Sequence, residues 1–356
     1  MIRRGLLGLL VTGAVLVAAG LFWPGGIEPK PWEPPAVAPP TPATQLNDRL
    51  KGVELLGPTL PGPETITFDA TGRLLTGLSD GRVVRLTLGS DTVEVLTNTH
   101  GRPLSVAPHP REGLIICDAK LGLLALRDTG QLVPLATEEG GVPFSLVDDL
   151  AIAQDGVVFF TDASARRSLE AFTDDLLEHQ TTGRVLAYEP STQKVHRMAE
   201  GFNFANGIAL GPDEAFLVVA ETGAYRLWRV WLKGPKAGRK ELFTDSLPGF
   251  PDNVRYSPSR HVFWVAIGSR RKPELDALAA WPMVRKLVSR LPAAVQPAPE
   301  RHAYALAVDE EGRLVESLQY QAQDSYSPVA SVLEHEGFLY LGSFAHDGIA
   351  RLKLGD

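Results

Sequence analysis

Cysteine is close to absent from this chain. Cys117 is the only one in 356 residues, so no intrachain disulfide can staple the fold. It follows the apolar run Leu114–Ile115–Ile116, which marks it as a small buried hydrophobe rather than a nucleophile. A concentrated basic stripe is also missing. The formal charge is −7, and the longest basic groupings, Arg166–Arg167 and Arg270–Arg271–Lys272, read as solvated loop charge, which leaves nucleic acid out as a partner. No phosphate-cradling glycine loop, Cys/His zinc spacing or Gly-x-Ser-x-Gly elbow occurs, so nucleotide enzymes, zinc proteins and serine hydrolases lack support. Long helical periodicity is scarce beyond residue 50, which excludes a helical bundle. With 44 % apolar and 22 % charged residues, the composition is nonetheless that of a globular protein.

The one long apolar run is at the N-terminus. Arg3 and Arg4 precede an uncharged stretch from Gly5 to Phe22, long enough at a helical rise of about 1.5 Å per residue to match a bilayer core. Residues 1–23 are therefore read as a membrane anchor in preference to a cleaved signal with its small-residue site near Ala18-Ala19-Gly20. The arginines stay in the cytoplasm and the rest is exported, to the periplasmic side if the source is bacterial, as the Ala, Gly, Pro and Arg usage suggests. Residues 24–43 are rich in proline and are expected to form an extended spacer that lifts the following domain, 44–356, clear of the membrane.

That domain reads as all-β. Short apolar, β-rich runs recur between Gly, Asp, Asn and Pro turns, as in 68–86, 151–164, 209–232, 255–269 and 333–354. The unit restarts about every 40 to 60 residues, the range of a four-stranded propeller blade, and six units fit between residue 53 and the end. A pair of β-sandwiches is the alternative, but radial repetition suits one regular period and removes exposed strand edges. Ser168–Glu178 and Leu275–Leu291 carry helical spacing, the second interrupted by Pro282, and are expected to cover one mouth of the propeller. Trp281 and its basic neighbours would suit a membrane surface, a reading the sequence alone does not favour.

Hard cations take oxygen ligands, and in a propeller these come from the innermost strands of different blades. Glu64, Asp148, Asn206 and Asp252 each stand just before an apolar strand at such intervals. Singly, each is as well explained by an ordinary polar turn; together they suggest one shared metal site. The segments 101–126, 231–255 and 327–344 resemble the conserved region of strictosidine synthase-like proteins, nearest to the adipocyte plasma membrane-associated protein branch, and the stretch 201–254 is the most specific part of the likeness. The resemblance implies a six-bladed propeller of the superfamily that includes gluconolactonases and paraoxonases. It places the four residues at that superfamily's central calcium site, with Asp148 where an Asn is usual. It also implies Asp252 as general base or nucleophile, while Asp149 is the second catalytic candidate, behind the ligands. His335 falls on a motif that ties blades together, and His100, His109, His302 and His346 are not assigned to the chemistry. True strictosidine synthases carry an essential Glu four residues before the last-blade motif, where this chain has Ala330, so a condensation of that type is disfavoured.

The resulting expectation is a calcium-dependent hydrolase of lactones or esters, including aryl esters or organophosphates, acting on a small-molecule substrate. An exported binding or scaffold module with a structural metal is the alternative. The two differ in whether the metal faces a pocket or is enclosed. The sequence does not specify oligomeric state.

Overall fold

The computed structural model describes residues 26–57, 59–90, 92–292 and 300–355. Six four-stranded antiparallel sheets follow one another around an axis. Their innermost strands are Thr67–Phe68, Pro103–His109, Val147–Ile152, Ala205–Leu210, Gly249–Ser257 and Ser331–His335, numbered here as blades 1 to 6. Blade 6 takes its outermost strand from the other end of the chain: Glu54–Leu56 pairs with Ile349–Lys353, Glu54 opposite Arg351 and Leu56 opposite Ile349. This pairing closes the ring and covers an edge that an open sheet would expose.

The first turn of blade 1 is fixed by its aspartate. Asp69 accepts hydrogen bonds on Oδ1 from the backbone N–H groups of Thr71 and Arg73, at 2.9 and 3.0 Å. Gly72 supplies the positive φ of 75° that this turn requires.

Apolar side chains alternate along the strands and meet between neighbouring blades. Phe216, Leu227, Phe263 and Tyr304 join blades 4 and 5, while Trp264, Ala305, Val332 and Leu341 join blades 5 and 6. Cys117 is fully buried with Leu123 and Phe160 between blades 2 and 3, as its sequence context predicts. His335 stacks on Phe68 of blade 1 at 3.8 Å, and Glu334 accepts hydrogen bonds from Ser257 and Trp264 of blade 5. That motif therefore ties blades together, as expected.

Both helical insertions leave the sheets between the second and third strands of a blade. Helix α1, Phe172–Glu178, follows a 3₁₀ turn in blade 3, and α2, Pro273–Ala277, and α3, Pro282–Val288, leave blade 5. Pro282 starts α3, where its missing N–H costs nothing, and so divides the predicted segment in two.

The expected membrane helix of 1–23 lies outside the described residues. Among the described residues no helix is long and apolar enough to cross a membrane. The spacer reading of 24–43 needs correction for its described part. Residues 26–35 form a strap over the helical insertions: Lys30 N–H donates to Glu178 O, Trp32 N–H donates to Ala279 O, and Trp32 stacks on His179 at 3.9 Å. Arg285 clamps it by donating to the carbonyls of Lys30, Leu177 and Ala279, and Ile27 is only 1 % exposed. Proline keeps the strap extended, but unsatisfied carbonyls on the lid and the apolar Ile27 and Trp32 give it partners.

Candidate active site

Three of the four predicted ligands stand where an innermost strand breaks its register. The pairing slips between Val147 and Leu150, between Ala205 and Ile208, and between Pro251 and Val254. A bulge takes residues out of the ladder and re-aims their side chains, and these bulges contain Asp148–Asp149, Asn206–Gly207 and Asp252–Asn253. At these three positions, then, an ordinary polar turn gives way to a bulge within the innermost strand. Gly207 is required here, because a Cβ would lie 2.4 Å from Asn253 Cα and 2.5 Å from Val254 N. Hydroxyls hold the backbone at these positions and at Glu64: Thr161 donates to Asn206 O, Thr222 to Pro251 O and Ser331 to Glu64 O, at 2.7, 2.7 and 2.6 Å.

Glu64, Asp148, Asn206 and Asp252 converge on the floor of one cavity of about 420 Å³. Its walls are apolar: Trp32 from the strap, Leu169, Phe172 and Leu176 from the blade 3 insertion, and Phe204, Tyr225, Phe250 and Phe344 from the blades. The insertions cover the mouth, as the sequence suggested. Asp148 is 3 % exposed and Asp252 8 %, so ionising them here is costly. Burial first, then the charges of Glu64 and Asp252, push the Asp148 carboxyl well above the usual carboxylate range. Burial and Glu64 do the same to Asp252, with the Asn206 side chain opposing. Glu64 is also raised, chiefly by burial, against the pull of Arg102.

Arg102 is the residue that sequence reading missed. It donates from Nη2 to Glu64 Oε2 at 3.0 Å and from Nη1 to Gly62 O at 3.1 Å, while lining the same cavity. It lies two residues before Leu104 in the family-like segment, with no local pattern to mark it. Trp32 was missed for a related reason, since a proline-rich context reads as linker.

Asp149 does not belong to the cavity wall. Its Oδ1 accepts from Ser105 Oγ and Arg255 Nη2, and its Oδ2 from Ile208 N–H and Arg255 Nη1, at 2.6 to 2.9 Å. With both oxygens engaged, Asp149 cannot serve as a catalytic group; it ties blades 2 to 5 together beneath the site. No histidine lines the cavity among the described residues; His109 bonds to Gly156 O of the next blade, and His302 pairs with Gln319.

The donor set suits a hard cation. Asp148 Oδ1 and Asn206 Oδ1 are buried without a hydrogen-bond partner, as is Asn253 Oδ1 beside them, and such oxygens are costly unless something coordinates them. As they stand, however, no three Asp, Glu, His or Cys side chains among the described residues are gathered closely enough to hold an ion. Arg102 supplies part of the positive charge that the three carboxylates call for.

A family model described as strictosidine synthase matches residues 148–235, and one described as strictosidine synthase-like, N-terminal, matches 45–86. The chain is 37 % identical over 325 residues to protein strictosidine synthase-like 13 of Arabidopsis thaliana, spanning 82 % of this chain and 77 % of that one. To the adipocyte plasma membrane-associated protein of Rattus norvegicus it is 33 % identical over 335 residues, spanning 87 % and 88 %. Among solved structures, a gluconolactonase from Xanthomonas campestris superposes with a TM-score of 0.61 at 18 % identity, covering 93 % of this chain and 98 % of that one. Regucalcin from Agrobacterium tumefaciens, a calcium-binding protein, superposes at 0.58 with 17 % identity, covering 83 % and 91 %. Identities this low bear on fold alone.

Proposed function

The chain belongs to the strictosidine synthase-like family, and from that premise we propose that it is a calcium-dependent hydrolase of lactones or esters, aryl esters or organophosphates among them. We place it outside the cytoplasm, tethered by the apolar run 5–22. One observation carries the catalytic reading: oxygens of Asp148 and Asn206 lie buried and without partners on the floor of an apolar cavity. A structural ion would be enclosed by protein, whereas this floor opens to a space that fits a small molecule. The gluconolactonase-type neighbours agree with that reading at the level of fold.

Glu64, Asp148, Asn206 and Asp252 would hold the cation, which when bound supplies Lewis-acid stabilisation to the substrate's carbonyl or phosphoryl oxygen. The chain's own groups do the rest. The aromatic walls hold the apolar part of the substrate and exclude water. Asp252 serves as general base toward water or as nucleophile, from a position kept open by Gly268, where a Cβ would lie 3.3 Å from Asp252 Oδ2. Arg102 favours the charged form of Glu64, against the burial that raises its pKa. Ala330 offers only its backbone carbonyl, which accepts from Asn253 Nδ2, so no carboxylate for an alkaloid-forming condensation stands there.

The test uses the purified full chain. Metals are removed with a chelator, and hydrolysis of phenyl acetate and of a set of lactones is followed while Ca²⁺, Mg²⁺ or Zn²⁺ is added back. Calcium-restored turnover that Asp252→Asn abolishes, with the melting temperature kept, is the expected result. Turnover indifferent to chelation, or retained in that variant, would overturn the proposal.

A further inference from the structure

Gly26 packs on the helical insertions that cover the cavity mouth. A Cβ on Gly26 would lie 2.8 Å from Arg290 Nη2, so this residue sits beside the end of α3, and its carbonyl accepts from Arg167 at 3.2 Å. Gly26 is only four residues along the chain from Phe22, the end of the apolar run, with Trp23, Pro24 and Gly25 between. Even fully extended, those four steps reach roughly 14 Å. The strap therefore does not lift the domain away from whatever holds the apolar run; it ties the mouth close to it.

The face so presented is apolar where it is exposed. Trp281, Met283 and Val284, at the start of α3, are 63, 49 and 38 % exposed, and Phe344 on the cavity rim is 38 % exposed. Leu121, 41 % exposed, adjoins Lys120, whose ammonium reaches Glu170 of the blade 3 insertion at 2.7 Å. From 282 to 291 the chain carries Arg285, Lys286 and Arg290 and no acidic residue. Arg285 is turned inward onto the strap, while Lys286 is only partly buried. Exposed apolar groups of this size clustered on one face mark a contact surface. A Trp with aliphatic neighbours and flanking cations is the composition that settles at a bilayer interface.

We propose that the cavity mouth docks on a lipid bilayer, with Trp281, Met283 and Val284 entering the interfacial layer, so that the cavity opens toward the membrane rather than toward bulk water. This rests on the reading of residues 5–22 as the tether. The neutral-to-basic α3 surface commits the partner to a bilayer containing anionic lipid. Substrate then enters from the lipid phase, which matches walls built from Trp32, Phe172, Phe204 and Phe250.

The experiment uses the full chain reconstituted in vesicles of phosphatidylcholine and phosphatidylglycerol, three parts to one. Cys117 is fully buried, with its thiol pKa pushed up by burial, so a nitroxide can be placed on Met283→Cys alone. Thr129→Cys serves as the control: it lies in the exposed turn between Gly122–Leu126 and Leu132–Ala136, at the end of the blade away from the mouth. Flotation reads the tether, and the ratio of collisions with oxygen to collisions with a water-soluble nickel chelate reads depth. A ratio several-fold higher at 283 than at 129 is expected. Equal ratios in protein that floats would overturn docking while leaving the tether intact. Failure to float would overturn both.

Discussion

At the scale of single residues, the site depends on a few groups whose alternatives are excluded by sterics or by charge. Gly207 lies within 2.4 Å of backbone at the position a Cβ would occupy, so Gly207→Ala must push blade 5 away from blade 4. The expected loss is about 1–3 kcal/mol, read as a lower denaturation midpoint, together with a weakened response to calcium. Asp149 and Arg255 form a bidentate pair at 2.6 and 2.7 Å, with Arg255 17 % exposed at its side chain and Asp149 fully buried. Arg255→Leu leaves that carboxylate buried without its cation and is expected to cost about 3 kcal/mol or more. Asn206→Ala removes a ligand that is itself uncharged. It should abolish the calcium-induced rise in melting temperature, while the metal-free protein loses only the side-chain hydrogen bond from Asn206 to Asp252, about 1 kcal/mol.

At the scale of elements, strand bulges and the strap do the positioning. A regular innermost strand would point Asp148 and Asp252 along the ladder's two-residue alternation; the bulges turn consecutive polar residues toward and behind the cavity floor. The strap contributes one wall residue, Trp32, and several backbone bonds. Trp32→Ala should raise KM for bulky aryl esters several-fold, with kcat for a small lactone little changed, because it removes wall and not chemistry. A fall in kcat alone for the small lactone would count against the placement of Trp32.

At the scale of the whole molecule, blade closure concentrates three acids on one axis, and that has a pH consequence. Glu64, Asp148 and Asp252 all have pKa values raised above the ordinary carboxylate range. The folded protein therefore binds more protons than the unfolded chain over the interval between the two sets of values. Without metal, the stability contributed by these three groups is fully present below about pH 4, where the unfolded chain's carboxyls are still protonated, and declines as pH rises through the raised values. Calcium replaces the lost protons, so its stabilisation should be larger at about pH 8 than at about pH 5, and should reach about 2.7 kcal/mol at a hundredfold excess over its dissociation constant. Thermal melts with chelator and with calcium across that range check this. An equal calcium effect at both ends would mean that the carboxylates are not its ligands.

The sequence by itself determined the repeat, and with it the all-β propeller and the strand starts at which Glu64, Asp148, Asn206 and Asp252 occur. Periodicity and turn chemistry are local, and an apolar strand bounded by Asp and Gly announces itself within a few residues. It also determined where the helical insertions fall, because three- and four-residue spacing is equally local. Tertiary structure alone decided that Arg102 joins the acids, that Asp149 is consumed by Arg255 from two blades away, and that the proline-rich segment becomes a wall of the cavity. Each of these depends on contacts between positions far apart in the chain, such as Asp149 with Arg255 or Lys30 with Glu178. No sequence pattern records which distant carbonyl or carboxylate a side chain will meet once the ring has closed.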